Sequence, residues 1–130
     1  MIKENLWLFF LLCIACENQS LMKHPLDKSQ SKTIVLDNEL KVYLLSDPDF
    51  NVSAASLAVD VGSLENPDNR LGLAHFLEHM LFLGTEKFPD VDEYSSYLKN
   101  NGGFSNAYTT TDHTNYQFQV LPDALEGAID

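Results

Sequence analysis

The sequence predicts an α+β fold, an antiparallel-rich sheet packed against helices, and three observations lead to it. Short apolar runs punctuated by turn residues occupy positions 33–61 and again 104–121. Between them lie two stretches with helical spacing and their own start and stop signals. The strand-like runs follow one another across hairpin-sized connections, which favours antiparallel neighbours. At 130 residues the chain offers one domain at most, with a modest core.

Residues 1–5 are a short polar start and residues 6–15 an apolar core. That run is too short to cross a bilayer as a mature helix, but it suits the hydrophobic region of a signal peptide, assigned to residues 1–15. Leu12-Cys-Ile-Ala-Cys16 resembles a bacterial lipoprotein cleavage box, with small Ala15 before the cysteine to be acylated. Cys13 stands where such boxes usually carry Leu, so ordinary cleavage near Ala15 and an uncleaved anchor stay open. The expectation is an exported protein, periplasmic or held at a bacterial membrane by a lipid on Cys16. Residues 16–31, polar and punctuated by Pro25, read as a tether. Both cysteines fall in positions 1–16, so the rest has no internal disulfide and no thiolate metal site.

Thr33-Ile-Val-Leu36 and Leu40-Lys-Val-Tyr-Leu-Leu45 form a hairpin around Asp37-Asn-Glu39, and Ser46-Asp-Pro-Asp49 is turn chemistry. A third strand covers residues 52–61, and Gly62-Ser63 ends it. Asn66-Pro-Asp-Asn69 offers caps for a helix over residues 70–83, which Gly84 is placed to stop in a left-handed conformation. A second helix starts near Asp90 with Glu93 as capping-box partner. Its stripe is Val91, Tyr94, Tyr97 and Leu98, and Asn101-Gly-Gly103 closes it. Residues 104–109 and 115–121 pair around Thr111-Asp-His113, the second strand alternating at Tyr116, Phe118 and Val120. Pro122-Asp123 opens a helix still running at Asp130, so residues 32–130 read as the N-terminal portion of a truncated domain.

Eight Lys and Arg against nineteen Asp and Glu leave a formal charge of −11. Such a surface repels phosphate backbones, which argues against nucleic acid as a partner.

Within the first predicted helix, His75-Phe-Leu-Glu-His79 sets three titratable side chains among Phe76, Leu77, Met80, Leu81 and Phe82. At about 100° per residue, His75 stands at about 0°, Glu78 at about −60° and His79 at about +40°, one arc of an otherwise apolar surface. An ordinary surface helix also carries one polar arc. Residue type separates the two readings, because such arcs are usually Lys, Glu and Arg, whereas this chain places two of its four histidines here. Imidazoles at i and i+4 lie one turn apart and can reach one Zn²⁺ at about 2.0–2.1 Å each. Glu78, on the same face but outside that pair, is placed to take a proton from water activated by the ion. The apolar flanks predict a buried helix, in which a metal would compensate the polar groups.

The order His-x-x-Glu-His inverts the commoner His-Glu-x-x-His. The segment Gly72-Leu-Ala-His-Phe-Leu-Glu-His-Met-Leu-Phe-Leu-Gly-Thr85 closely resembles the insulysin/pitrilysin family of inverted-motif zinc peptidases. Leu44-Leu-Ser-Asp-Pro48 and Val61-Gly-Ser63 precede it at family-like positions. Tyr94-Ser-Ser-Tyr-Leu98, Gly103-Phe-Ser-Asn-Ala-Tyr-Thr109 and Asp112-His-Thr-Asn-Tyr116 follow it, so the resemblance covers residues 32–130.

The resemblance implies a zinc metallo-endopeptidase with one Zn²⁺ per site, His75 and His79 as ligands and Glu78 as general base. It implies that Asn106 and Ala107 lie beside a bound peptide substrate. The family's third ligand is a Glu on a later helix, which would fall beyond Asp130, and no residue here is assigned to it. The remaining domains of the full-length enzyme would complete the substrate chamber. With two protein ligands the metal site is weak and open, so the chain alone is expected to be inactive. Glu86, Asp90, Asp92, Glu93 and Asp112 read as caps, turns or surface charges, His113 as a hairpin-tip residue and His24 as part of the tether. The rival reading is a non-catalytic structural or peptide-binding relative; the presence of all three motif residues favours the enzyme.

Overall fold

The computed structural model describes residues 23–130, so the leader and Cys16 lie outside the described residues. The described residues fall into two compact units that divide after Pro48, the second being Asp49–Asp130. Among the described residues no helix is long and apolar enough to cross a membrane.

In the first unit β1 (Gln30–Val35) and β2 (Lys41–Ser46) pair antiparallel, with Thr33 opposite Tyr43. The turn residues close the hairpin as expected. The Leu36 N–H donates to the Leu40 carbonyl and the Glu39 N–H to the Leu36 carbonyl, each at 2.9 Å. Asn38 Oδ1 accepts the Leu40 N–H at 3.2 Å. β1 begins within the stretch read as a tether, because Gln30 and Ser31 find ladder partners in Ser46 and Leu45.

In the second unit β3 (Ser53–Val59), β4 (Phe104–Thr109) and β5 (Thr114–Val120) form an antiparallel sheet in the order β3-β5-β4. β5 is central and β4 is an edge. Helices α1 (Leu73–Met80), α2 (Glu93–Asn100) and α3 (Leu125–Ile129) complete it, the last preceded by a 3₁₀ turn at Pro122–Ala124. Antiparallel sheets with helices against them are the predicted α+β class.

The core lies where α2 and α3 meet the end of β5. Leu98, Val120, Ala124 and Ala128 are buried there, with Tyr94, Tyr97, Phe118 and Leu125 packed around them. Tyr94 meets Phe118 edge-on with ring centroids 6.4 Å apart. The Tyr97 hydroxyl donates to the Ala124 carbonyl at 3.0 Å and the Tyr94 hydroxyl to the Ala128 carbonyl at 3.3 Å. Three of the four stripe residues read from the sequence thus serve this core; Val91 is exposed.

The helix ends depart from the sequence reading in instructive ways. Asn66 does cap α1, its Oδ1 accepting the Ala74 N–H at 2.9 Å, but from eight residues upstream. Gly72, at φ 83°, breaks the helical path, so α1 starts at Leu73 rather than near Arg70. After Met80 the chain continues in turns to Gly84, whose φ of 96° is the left-handed stop the sequence predicts. A side chain there would be strained by that backbone and would press on the Phe88 carbonyl oxygen at 2.9 Å. α2 begins at Glu93 itself, one residue after Asp92, so Glu93 cannot serve as the third residue of a capping box. Asp90 instead turns its carboxylate onto the Asp92 N–H at 3.1 Å, a local bond that competes with capping.

Gly62 sets the approach of the β3 exit to the β4–β5 hairpin tip. A Cβ there would lie 2.5 Å from the Asp112 nitrogen and the Thr111 carbonyl carbon. Its absence lets the Ser63 and Leu64 N–H groups donate to the carbonyls of Thr110 and Thr111, each at 2.9 Å.

The expectation of a buried α1 is corrected. Phe76 is 61% and Leu77 54% exposed, while Glu78 is only 7% exposed. The helix turns its carboxylate, not its oily residues, toward the sheet, and among the described residues no core gathers around its apolar side.

Candidate metal and base site

α1 packs on β4 and the neighbouring end of β5. This places His75, Glu78 and His79 at the sheet end where the β4–β5 hairpin turns. His75 and His79, one turn apart, bring their Nε2 atoms to 3.1 Å, with ring centroids 4.7 Å apart and planes tilted by 50°. Two nitrogens each about 2.0–2.1 Å from one tetrahedral ion stand about 3.3 Å apart, so the observed pair fits two ligands of a single zinc. Imidazole nitrogen is also a donor type that zinc favours. Among the described residues no group of three His, Cys, Asp or Glu side chains gathers to hold a metal, so this unit supplies a pair and not a full set.

Glu78 leaves the same turn of helix in a different direction, into the sheet. Its Oε2 accepts the Thr109 hydroxyl at 2.5 Å. Thr109 ends β4 opposite Thr114, the first residue of β5. The Thr114 hydroxyl donates to the Val61 carbonyl at 2.8 Å and stands 3.4 Å from the Thr109 hydroxyl oxygen. Burial pushes the Tyr116 phenol above its ordinary pKa, and the neighbouring Glu78 carboxylate adds to that shift. Glu78 is thus bonded to the end of β4, while the facing Nε2 atoms of His75 and His79 form the candidate ligand pair.

An open groove of about 540 Å³ lies beside His75, lined also by Gly72 and residues 109–111. Asn106 and Ala107 lie on β4, opposite Gln117 and Tyr116 of β5. Strand alternation puts Ala107 on the face of Thr109 and Asn106 on the other face, so the two do not share one surface. His113 is a hairpin-tip residue, its Nδ1 held by Asp112 Oδ1 at 2.8 Å and by the Thr110 hydroxyl at 2.9 Å. The His113 contact, and after it the Thr110 hydroxyl donating to Asp112 Oδ1 at 2.9 Å, hold the Asp112 carboxyl below its usual range. His24 lies in a turn, accepting the Leu26 N–H at 3.2 Å. Thr109, Thr114 and Tyr116 are the site residues that sequence reasoning missed. The available signal was a threonine closing β4 on its inward face.

Residues 41–130 match the family described as Insulinase (Peptidase family M16). The A-factor-processing enzyme of Saccharomyces cerevisiae is 51% identical over 113 residues, covering 87% of this chain and 11% of that protein. The human insulin-degrading enzyme is 50% identical over 110 residues, covering 85% of this chain and 11% of the enzyme. Among solved structures, the crystal structure of pitrilysin aligns with a TM-score of 0.79 and 43% identity, over 87% of this chain and 12% of that one. The chain thus spans about a tenth of the length of the relatives it matches.

Proposed function

The chain belongs to the insulinase family of peptidases, and on that premise we propose that it carries the histidine pair and general base of a zinc metallo-endopeptidase, as a segment inactive by itself. The observation that carries this reading is the convergence of the His75 and His79 Nε2 atoms at 3.1 Å beside the buried Glu78 carboxylate. His75 and His79 would hold a zinc ion, which would supply Lewis acidity toward a scissile carbonyl and toward the attacking water. The Glu78 carboxylate takes the proton of the attacking water. A peptide lies along the free edge of β4, hydrogen-bonding to the backbone near Asn106 and Ala107, with the groove beside His75 as its approach. The third protein ligand and further substrate contacts come from outside these residues, in the remaining domains of the full-length enzyme.

The test is Glu78→Gln in the full-length, zinc-loaded protein. The reading expects kcat for peptide hydrolysis to fall by about 10²–10⁴-fold with zinc retained. Near-wild-type turnover would remove Glu78 from its role, and a protein that neither holds zinc nor hydrolyses peptide would stand as a non-catalytic, peptide-binding relative.

From residues 1–16, which lie outside the described residues, we infer export and acylation at Cys16. A Cys16→Ser protein that still partitions with membranes would overturn the lipid anchor.

A further inference from the structure

Glu78 is almost wholly out of water, and a carboxylate in that position needs a donor to hold it. Thr109 provides one at 2.5 Å, the short end of the range for a hydroxyl on an ionised carboxylate, about 2.5–2.7 Å. The direction of this bond follows from its acceptor, since an ionised carboxylate has no proton to give and the Thr109 hydroxyl donates. Behind it, the Thr114 hydroxyl donates to the Val61 carbonyl at 2.8 Å and stands 3.4 Å from the Thr109 oxygen. Its backbone is the terminal rung of the β4–β5 ladder, so the donor rides on the sheet and not on a loop.

We propose that Thr109 is a positioning residue for the general base, occupying Glu78 Oε2 so that Oε1 is the oxygen presented to water. This rests on the role given to Glu78 above. A carboxylate on a flexible side chain can rotate among several settings. Engaging one oxygen from a rigid strand end fixes the plane of the group and aims the other oxygen at a constant point. Thr114, through its place opposite Thr109 and its bond to Val61, steadies that strand end in turn.

The experiment compares Thr109→Val, which removes the hydroxyl and keeps the branching, with Thr109→Ser, which keeps the hydroxyl, in the full-length zinc-loaded protein. Thr109→Val is expected to lower kcat about 10–100-fold, the usual effect of losing an outer partner, while KM and zinc content stay near wild type. Thr109→Ser should restore most of the rate. In a Glu78→Gln background, Thr109→Val should lower the residual kcat no further, because the group it positions is gone. A wild-type kcat in Thr109→Val overturns the proposal. So does an equal loss in Thr109→Ser, or a full additional loss on top of Glu78→Gln. Should Thr109→Val fail to fold, Thr114→Val gives the second reading: a smaller fall in kcat at unchanged KM supports the proposal, and an unchanged kcat counts against it. Glu78→Gln also separates the two levels of the reading. If that variant turns over normally, the base assignment itself has failed. If it is inactive while Thr109→Val is normal, only the positioning role has.

Discussion

His75 Nε2 and His79 Nε2 stand 3.1 Å apart across one turn of α1. Two ring nitrogens at that distance are placed to face one ion together, each one coordination bond from it. Zinc binding should therefore depend on both together. His75→Ala and His79→Ala are each expected to weaken zinc binding by more than about 100-fold, beyond what loss of an outer partner costs. The double variant should be scarcely worse than either single one. Calorimetric titration with zinc measures all three, and a variant that keeps wild-type affinity would separate that histidine from the metal.

Tyr116 reports on Glu78. Its phenol is pushed up first by burial and then by the Glu78 carboxylate. Glu78→Gln should move its titration part of the way back toward the ordinary value, about 10, leaving the burial contribution in place. A raised phenol pKa in the folded state adds stability that is complete below the unfolded value and lost as pH climbs through the folded one. The unit should accordingly lose stability above about pH 10, with a smaller loss in Glu78→Gln. Isotope-labelled tyrosine NMR across that range checks both statements, and an unmoved Tyr116 titration would contradict the first.

Leu98 is 1% exposed at the centre of the α2–α3–β5 core. Leu98→Ala should cost about 2–5 kcal/mol, through lost burial and the cavity left behind. Val91, on the same predicted stripe but exposed, should tolerate Ala with a change within about 0.5 kcal/mol. Chemical denaturation distinguishes the two.

Gly62→Ala should destabilise the second unit by about 1–3 kcal/mol, because its Cβ would meet backbone and not a yielding side chain. The same change should loosen Thr110 and Thr111, whose carbonyls accept from Ser63 and Leu64. Hydrogen exchange at those two N–H groups is the direct measurement.

The sequence was most legible where one element carries the whole message. The spacing from His75 to His79 is a property of a single helix, and strand β4 lies at residues 104–109 as its pattern indicates. The hairpin around residues 37–39 and the left-handed Gly84 follow from local backbone chemistry in the same way. Thr109 was not legible as a partner of Glu78, because 31 residues separate them and no spacing rule joins a helix to a strand end. Asn66 was recognised as a cap, but its distance from α1 depended on how the intervening loop closes. The burial of α1 was misjudged for a related reason. Hydropathy measures what a side chain gains on leaving water, not whether a neighbour is present to receive it.

That inverted helix has a practical bearing on how the chain tolerates change. Phe76 and Leu77 would rank as untouchable in any scan by side-chain character, yet in this unit they stand in solvent. Polar replacements at these two positions should leave the melting curve of the isolated chain almost unmoved and raise its solubility, since a contiguous oily patch invites self-association. Glu78, next to Leu77 in the same turn and a residue that a polarity scale would assign to the surface, is where substitution will be least forgiving.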